Sequence, residues 1–234
     1  MNNVINTIEK AGFTLEIGYD EFPSNPRDWD SEFSTMLCGH RRYDLGDEQL
    51  QGNYNSMKEE VQRWVVSTYW KEFDAFVAQR ENTEELKELQ EWNYEESDSC
   101  NIVEEFITSN FVILPVYMYE HSGIALSTNK FNCSWDSGTL GVILTKITPQ
   151  SCLESVRKDL ASQVKGYSSY VNGDVFEWAI RDSEGNFVDS RGGYLDDEDY
   201  CEEEGLQVLE ALLRDQQKAE LKTSEQFGFA ILGE

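Results

Sequence analysis

Apolar residues recur at two different periods along this 234-residue chain, and the change from one to the other marks out its elements. From Phe13 to Tyr19 (FTLEIGY) apolar and polar positions alternate, the pattern of a strand with one buried face. Pro23-Ser24-Asn25-Pro26 breaks regular structure, and Ser34 to Arg42 reads as a second strand. From Ser56 to about Arg80 the period lengthens, with Val61, Trp64, Val65, Tyr69, Phe73, Phe76 and Val77 on one face of an amphipathic helix. So bulky a stripe belongs to a core and not to a ligand site. Asn82 is placed to cap a following acidic helix (NTEELKELQEW), with Glu85 three residues on as in a capping box.

Phe111 to Tyr119 (FVILPVYMY) is apolar almost throughout, as in a buried strand, and Pro115 there requires an edge position or a bulge. Gly123 to Thr128 and Thr139 to Lys146 supply two more strands. Pro149 and Ser151 open a helix carrying Leu153, Val156, Leu160 and Val164 on one face. Val175 to Arg181, the turn Asp182-Ser183-Glu184-Gly185 and Phe187-Val188 predict a hairpin. A last helix from about Glu198 to Lys222 turns Leu206, Leu209, Leu213 and Leu221 inward. Strands and helices interleave without a βαβ repeat. The expected class is therefore α+β, a mainly antiparallel or mixed sheet packed with three to four amphipathic helices. No Gly/Ser or Pro run separates two halves, so residues 1–234 are expected to form a single compact domain.

With 39% hydrophobic and 12% aromatic residues the chain has the material for a core and does not read as disordered. Met1-Asn2-Asn3-Val4-Ile5 lacks the basic flank and apolar run of a signal peptide, and no stretch approaches the ~18 apolar residues of a membrane helix, so a cytoplasmic location is expected. Cys38, Cys100, Cys133, Cys152 and Cys201 are odd in number and scattered, without a C-x-x-C pair. That disfavours a disulfide framework and a structural zinc site, and leaves buried or incidental thiols.

Charge changes the picture most. Forty-five Asp and Glu against nineteen Lys and Arg give a formal net charge of −26. Such a surplus repels nucleic acid and anionic membrane, yet attracts the basic grooves of proteins that bind nucleic acid. The acids are spread along the chain, and two denser blocks stand out among them. One holds Glu84, Glu85, Glu88, Glu91, Glu95, Glu96, Asp98, Glu104 and Glu105 against a single Lys87, and the other holds Asp196, Asp197, Glu198, Asp199, Glu202, Glu203 and Glu204 around Tyr200 and Cys201. On helices these spacings present rows of carboxylates comparable with phosphates along a duplex. The plainer reading is that they solvate helix faces, the second block sitting where a helix N-terminus favours anions. Neither block has the spacing of a calcium-binding loop.

The chain's two histidines stand in segments of a different character. His40 lies in Cys38-Gly39-His40-Arg41-Arg42-Tyr43-Asp44-Leu45-Gly46-Asp47, and His121 in Tyr119-Glu120-His121-Ser122-Gly123, shortly before Trp135-Asp136-Ser137-Gly138. Basic, acidic and hydroxyl groups interleaved with glycines and aromatics are how convergent polar groups of a pocket are commonly encoded. If the segments meet, Arg41 and Arg42 clamp an anionic group while His121 or Asp136 handles a proton. The bland alternative is a structural network pairing a strand end with its turn. No nucleophile elbow, H-E-x-x-H, Walker sequence or dinucleotide-binding glycine pattern is present, and no metal or cofactor is expected.

The strings Asn25-Pro26-Arg27-Asp28-Trp29-Asp30, His40 to Asp47, Leu114 to Ile124 and Cys133-Ser134-Trp135-Asp136-Ser137-Gly138 resemble a family of proteins encoded by bacteriophages and mobile elements. The likeness covers roughly residues 12 to 147. It implies a phage gene expressed in a bacterial cytoplasm and supplies no catalytic residue. In charge and size the chain is also similar to acidic phage proteins that occupy the DNA-binding grooves of restriction or CRISPR machinery. The leading expectation is thus an anti-defence inhibitor, not an enzyme, that presents a DNA-like surface through the acidic blocks to a basic nucleic-acid-binding host protein. It would bind neither nucleic acid nor membrane. The rival is a pocket built from His40, Arg41, Arg42, Asp44, Asp47, His121, Ser122, Trp135 and Asp136 that sequesters or cleaves a nucleotide-like signal. A plain structural or regulatory component, with neither partner nor ligand, is the third expectation.

Overall fold

The computed structural model describes residues 3–29, 33–52, 56–81, 83–95, 100–133 and 135–231, the side chains of residues 83, 93–95 and 224–231 excepted. The elements run β1 (Val4–Lys10), β2 (Phe13–Tyr19), a 3-10 turn (Pro26–Asp28), β3 (Thr35–Cys38), β4 (Glu48–Gln49), α1 (Met57–Thr68), α2 (Trp70–Val77), α3 (Thr83–Glu95) and α4 (Asn101–Asn110). They continue with β5 (Phe111–Glu120), β6 (Ile124–Ser127), β7 (Ser137–Lys146), α5 (Leu153–Asn172), β8 (Val175–Arg181), β9 (Phe187–Leu195) and α6 (Glu198–Ile231). The fold is α+β, with two sheets and six helices among the described residues. The chain divides into two compact units, residues 1–25 with 169–234, and residues 26–168.

In the first unit the antiparallel order is β1-β2-β8-β9. The register sets Leu15 opposite Ile180 and Ile17 opposite Trp178, so four large apolar side chains share one face. Cys201, Leu209 and Leu213 of α6 cover them. A Cβ at Gly205 would lie 2.9 Å from Leu15 Cδ1 and 3.1 Å from Trp178 Cγ, so this close helix-to-sheet approach needs glycine. The Trp178 indole N–H donates to the Tyr194 hydroxyl at 2.9 Å, and burial pushes that hydroxyl up to about 12. Leu221, expected inward, is 63% exposed. The reason is length: at ~1.5 Å per residue α6 outruns strands that rise ~3.3 Å over seven to nine residues. The expected hairpin forms around Gly185 at φ +84°, with Asp182 accepting the N–H groups of Glu184 and Asn186 at 2.9 Å each.

The second unit has the order β4-β3-β7-β5-β6, antiparallel except for the β3–β4 pair. On one face Leu37, Phe111 and Leu144 join Val61 and Val65 of α1, Phe73 of α2, Leu89 and Trp92 of α3, and Val103 and Phe106 of α4. Phe106 is the hub, edge-on to Phe73 at 5.2 Å, Phe76 at 5.4 Å and Phe111 at 5.9 Å. The helix expected over 56–80 is therefore two. The backbone leaves helical geometry at Tyr69 (φ −110°, ψ 36°), whose ring meets Phe111 at 4.8 Å, and the turn lets Phe73 and Phe76 reach Phe106. Ser56 caps α1 by accepting the Glu59 N–H at 3.2 Å. The proposed cap Asn82 lies outside the described residues. Met36, opposite Ile143, faces the other way, and both are fully buried. From α5 the Tyr167 and Ser168 hydroxyls accept the N–H groups of Gly46 at 3.0 Å and Leu126 at 2.8 Å.

Pro115 is accommodated by the first of the expected devices, an edge position. β6 pairs with β5 only from Tyr117 to Glu120, leaving Pro115 a partner on the β7 side alone, and the β5–β7 register shifts between Val116 and Tyr117. The second strand ends at Cys38 and not at Arg42, so His40, Arg41 and Arg42 lie on a loop.

One buried cation ties this unit together. The Arg27 side chain is 2% exposed; its Nε and Nη2 reach Asp47 Oδ1 and Oδ2 at 3.0 and 2.6 Å, Nη2 reaches the Ser34 carbonyl at 3.0 Å, and Nη1 reaches Gln163 Oε1 at 2.8 Å. Arg27→Met strands the Asp47 carboxylate and should cost about 3–5 kcal/mol in urea denaturation. A loss below about 1 kcal/mol would show that the network is replaceable.

Candidate functional site

The loop between β3 and β4 is pinned at both ends. Gly39 N–H donates to the Leu140 carbonyl at 2.8 Å, Asp47 N–H to the Met36 carbonyl at 2.8 Å, and Asp47 Oδ2 accepts the Met36 N–H at 2.6 Å. Gly46 has φ +80°, and a Cβ there would come within 2.7 Å of the Met36 carbonyl oxygen and 2.9 Å of Cys38 Sγ, so no other residue fits. Within the loop the His40 and Tyr43 rings stack at 5.0 Å, His40 Nδ1 accepts the Arg42 N–H at 3.3 Å, and the Arg42 guanidinium lies 5.5 Å from the Tyr43 centroid.

Across from the loop stands the end of β5. Glu120 takes an ion pair from Arg42 through one oxygen and the Tyr43 hydroxyl through the other at 2.6 Å. That hydrogen bond to a carboxylate raises the Tyr43 hydroxyl above the usual phenol range. Glu120 N–H donates to the Asp136 carbonyl at 2.8 Å, which brings the start of β7 alongside. His121 Nδ1 lies 3.8 Å from Asp136 Oδ2, too long for a hydrogen bond but within reach of a protonated imidazole. Cys133 Sγ is 3.7 Å from the same oxygen, and the Ser137 hydroxyl donates to the Cys133 carbonyl.

These segments enclose a cavity of about 540 Å³ lined by His40, Arg41, Arg42, Glu120, His121, Trp135 and Asp136 over a floor of Met118 and residues 137–140. Of the pocket expected from sequence, six side chains meet here and three do not: Asp44 and Ser122 are exposed elsewhere on their loops, and Asp47 faces Arg27. Asp47 is committed instead to Arg27 and to the Met36 N–H. Sequence reasoning passed over Glu120, although it stands beside His121, and over Arg27. A neighbouring cavity of about 390 Å³ shares His40 and Arg41 and is lined also by Glu60, whose carboxylate accepts the Gly52 N–H at 3.0 Å.

The acidic blocks are partly committed to the fold. Glu88 accepts the Asn101 backbone N–H at 2.9 Å and its side-chain amide at 3.1 Å, capping α4 where Cys100 offers no cap. Glu104 pairs with Lys58 at 3.0 Å and Glu105 with Arg80 at 2.6 Å. Glu84 and Glu91 are exposed on α3 and Glu85 is half-buried, while the side chain of Glu95 and residues Glu96 and Asp98 lie outside the described set. In the second block Asp197 caps α6 by accepting the Tyr200 N–H at 2.9 Å, Glu202 accepts from Asn6 at 3.0 Å, Glu203 accepts from Gln207 at 3.3 Å, and Glu204 pairs with Arg191. Asp196, Glu198 and Asp199 are exposed.

Among the described residues no group of three or more His, Cys, Asp or Glu is arranged to hold a metal ion, and no helix is long and apolar enough to cross a membrane. No family model matches the chain, and neither a curated protein nor a solved structure similar to it is found.

The thiols offer a test of this arrangement. Burial pushes Cys38 and Cys201 up to about 12 and raises Cys100, whereas Cys152 is exposed and Cys133 is partly so beside the cavity. At pH 8 the three buried sulfurs remain protonated, because a raised thiol releases its proton only as pH approaches the raised value. Iodoacetamide at that pH should label Cys152 and Cys133 and leave the others unmodified until denaturant is added, as read by peptide mass spectrometry. Prompt native labelling of Cys38 would contradict the closed β3–β7 packing.

Proposed function

We propose that this chain binds a small anionic molecule of the nucleotide-signal kind in the cavity at the Gly39–Asp47 loop, sequestering or cleaving it. The observation that carries the reading is convergence. Three strings far apart in sequence, HRRYDLGD, YEHSG and WDSG, line one cavity with two guanidinium groups, two imidazoles and an indole. Arginine supplies planar paired donors that match phosphate and carboxylate geometry. Trp135 is 94% exposed, and an indole free in solvent beside cations is a surface on which a base stacks. The His121 and Asp136 pair can hold or move a proton at a bound phosphate. A net charge of −26 repels a long polyanion over its whole length. A ligand with one or two phosphates answers mainly to groups within a Debye length of ~8 Å.

Calorimetry with AMP and pyrophosphate tests this reading, with mass spectrometry of the recovered ligand to tell sequestration from cleavage. Arg41→Ala should weaken binding about 10- to 100-fold with the circular dichroism spectrum unchanged. Equal affinity in wild type and variant would sink the assignment.

A second reading, competitive occupancy of a basic groove in a host defence complex, keeps one specific support: Glu84 and Glu91 on α3 and Asp196, Glu198 and Asp199 at the start of α6 are exposed acids on a strongly anionic chain. It would give capture of a nucleic-acid-binding protein from bacterial lysate at low salt with release at high salt. Reversing Glu84, Glu85 and Glu91 to Lys, while Glu88 is left to cap α4, should abolish that capture. Capture that survives the reversal removes this helix from the contact surface.

A further inference from the structure

A second cavity of about 320 Å³ adjoins the basic one, and its chemistry is the opposite. Met57, Val61 and Gln62 of α1, Ile107 of α4, Ile113 and Pro115 of β5 and Val142 of β7 line it, at the helix-to-sheet interface. Its volume lies at the lower end of small-molecule sites. The two cavities share one residue, Thr139, which is exposed on β7. Strand β7 serves as a common floor, Ser137 to Leu140 beneath the basic cavity and Thr139 to Val142 beneath the apolar one. The β5–β7 register shift falls at this junction: Val116 pairs with Gly141 and Tyr117 with Thr139, so Leu140 is the extra residue. At ~3.3 Å per residue, Gly138 and Val142 stand about 13 Å apart along the strand, a span suited to one small molecule.

We propose that the ligand is an amphipathic anion, its charged head at Arg41 and Arg42 and its uncharged apolar body in the Val61, Ile107, Ile113 and Val142 cavity. This rests on the anion-binding reading of the basic cavity and adds what the rest of the molecule must be. Charge fixes the orientation. Among the described residues lining the apolar cavity the one cation, Lys58, is matched by Glu104 at 3.0 Å, whereas the cavity that shares Thr139 holds two guanidiniums. Hydrocarbon or an aromatic ring gains by leaving water for this lining, while a phosphate or a sugar does not.

Methyl phosphate and n-octyl phosphate, titrated calorimetrically, share a head and differ in the body. Octyl phosphate should bind roughly 100-fold more tightly, the effect of withdrawing about four methylenes from water. Thr108→Trp, placed at an exposed position of α4 that lines the apolar cavity alone, should erase most of that gain and leave methyl phosphate affinity unchanged. Methyl resonances of Val61, Ile113 and Val142 should shift with octyl phosphate and not with methyl phosphate. If methyl phosphate binds in an Arg41-dependent way while octyl phosphate gains nothing, or gains equally in Thr108→Trp, the amphipathic ligand is overturned and anion binding stands. If neither compound binds, both readings fall together.

Discussion

The contact between Arg27 and Asp47 is the constraint on which the candidate site depends. A guanidinium at 2% exposure is stable only if its donors are matched, and a carboxylate, a carbonyl and an amide oxygen match them here. Asp47 uses the same carboxylate to take the Met36 N–H, and its own N–H returns to the Met36 carbonyl, so the end of the loop is locked to the middle of β3. Gly46 at φ +80° is what allows the chain to arrive there. His40, Arg41 and Arg42 are therefore displayed on a loop with fixed ends and an exposed middle, the arrangement by which rigid scaffolds present binding groups.

How much of this the residues announce depends on how local the cause is. The strand Phe13–Tyr19 and the hairpin around Gly185 were legible because their determinants, alternation and a turn glycine, lie within the segment. So was the requirement on Pro115, which follows from its missing N–H. The break at Tyr69 was not, because the helical stripe runs unbroken through it and the cause is Phe106, far along the chain. Helix α4 was missed inside a run read only for its charge, and β1 because Val4 and Ile5 stand side by side and both are exposed. The division into units left no mark either: no linker composition attends it, and one crossing lies within α5. For the site, the residue types were legible and their meeting was not, since the Glu120 to Asp136 backbone bond that joins the segments has no side-chain signature.

The acids show the same limit from the other side. Their number is evident at once, but a carboxylate that caps a helix is indistinguishable in sequence from one that faces a partner. Glu88 and Asp197 are caps, and Glu104, Glu105 and Glu204 are paired with cations. Each such bond aims a carboxylate at its own fold and subtracts it from any surface that would imitate phosphates. Among the described acids of the two blocks, those on the surface with no such bond are fewer and patchier, Glu91 in one unit and Glu198 and Asp199 in the other.

The cavity at the loop is built from matched charges and not from surplus cations, and this bears on what it can select. Arg42 already satisfies Glu120, and Glu120 has a second partner in Tyr43, so the carboxylate keeps a strong donor when Arg42 turns to an incoming anion. Among the described residues Arg41 has no ion pair to exchange. On the proposed reading an anion would meet Arg41 first and recruit Arg42 at the cost of one exposed ion pair, a contact worth little in water. Selectivity cannot come from charge alone under those terms, because any phosphate makes the same exchange. It has to come from whatever else the ligand carries into the surroundings of Trp135 and Thr139, and there the lining passes from polar to apolar within a few residues of β7.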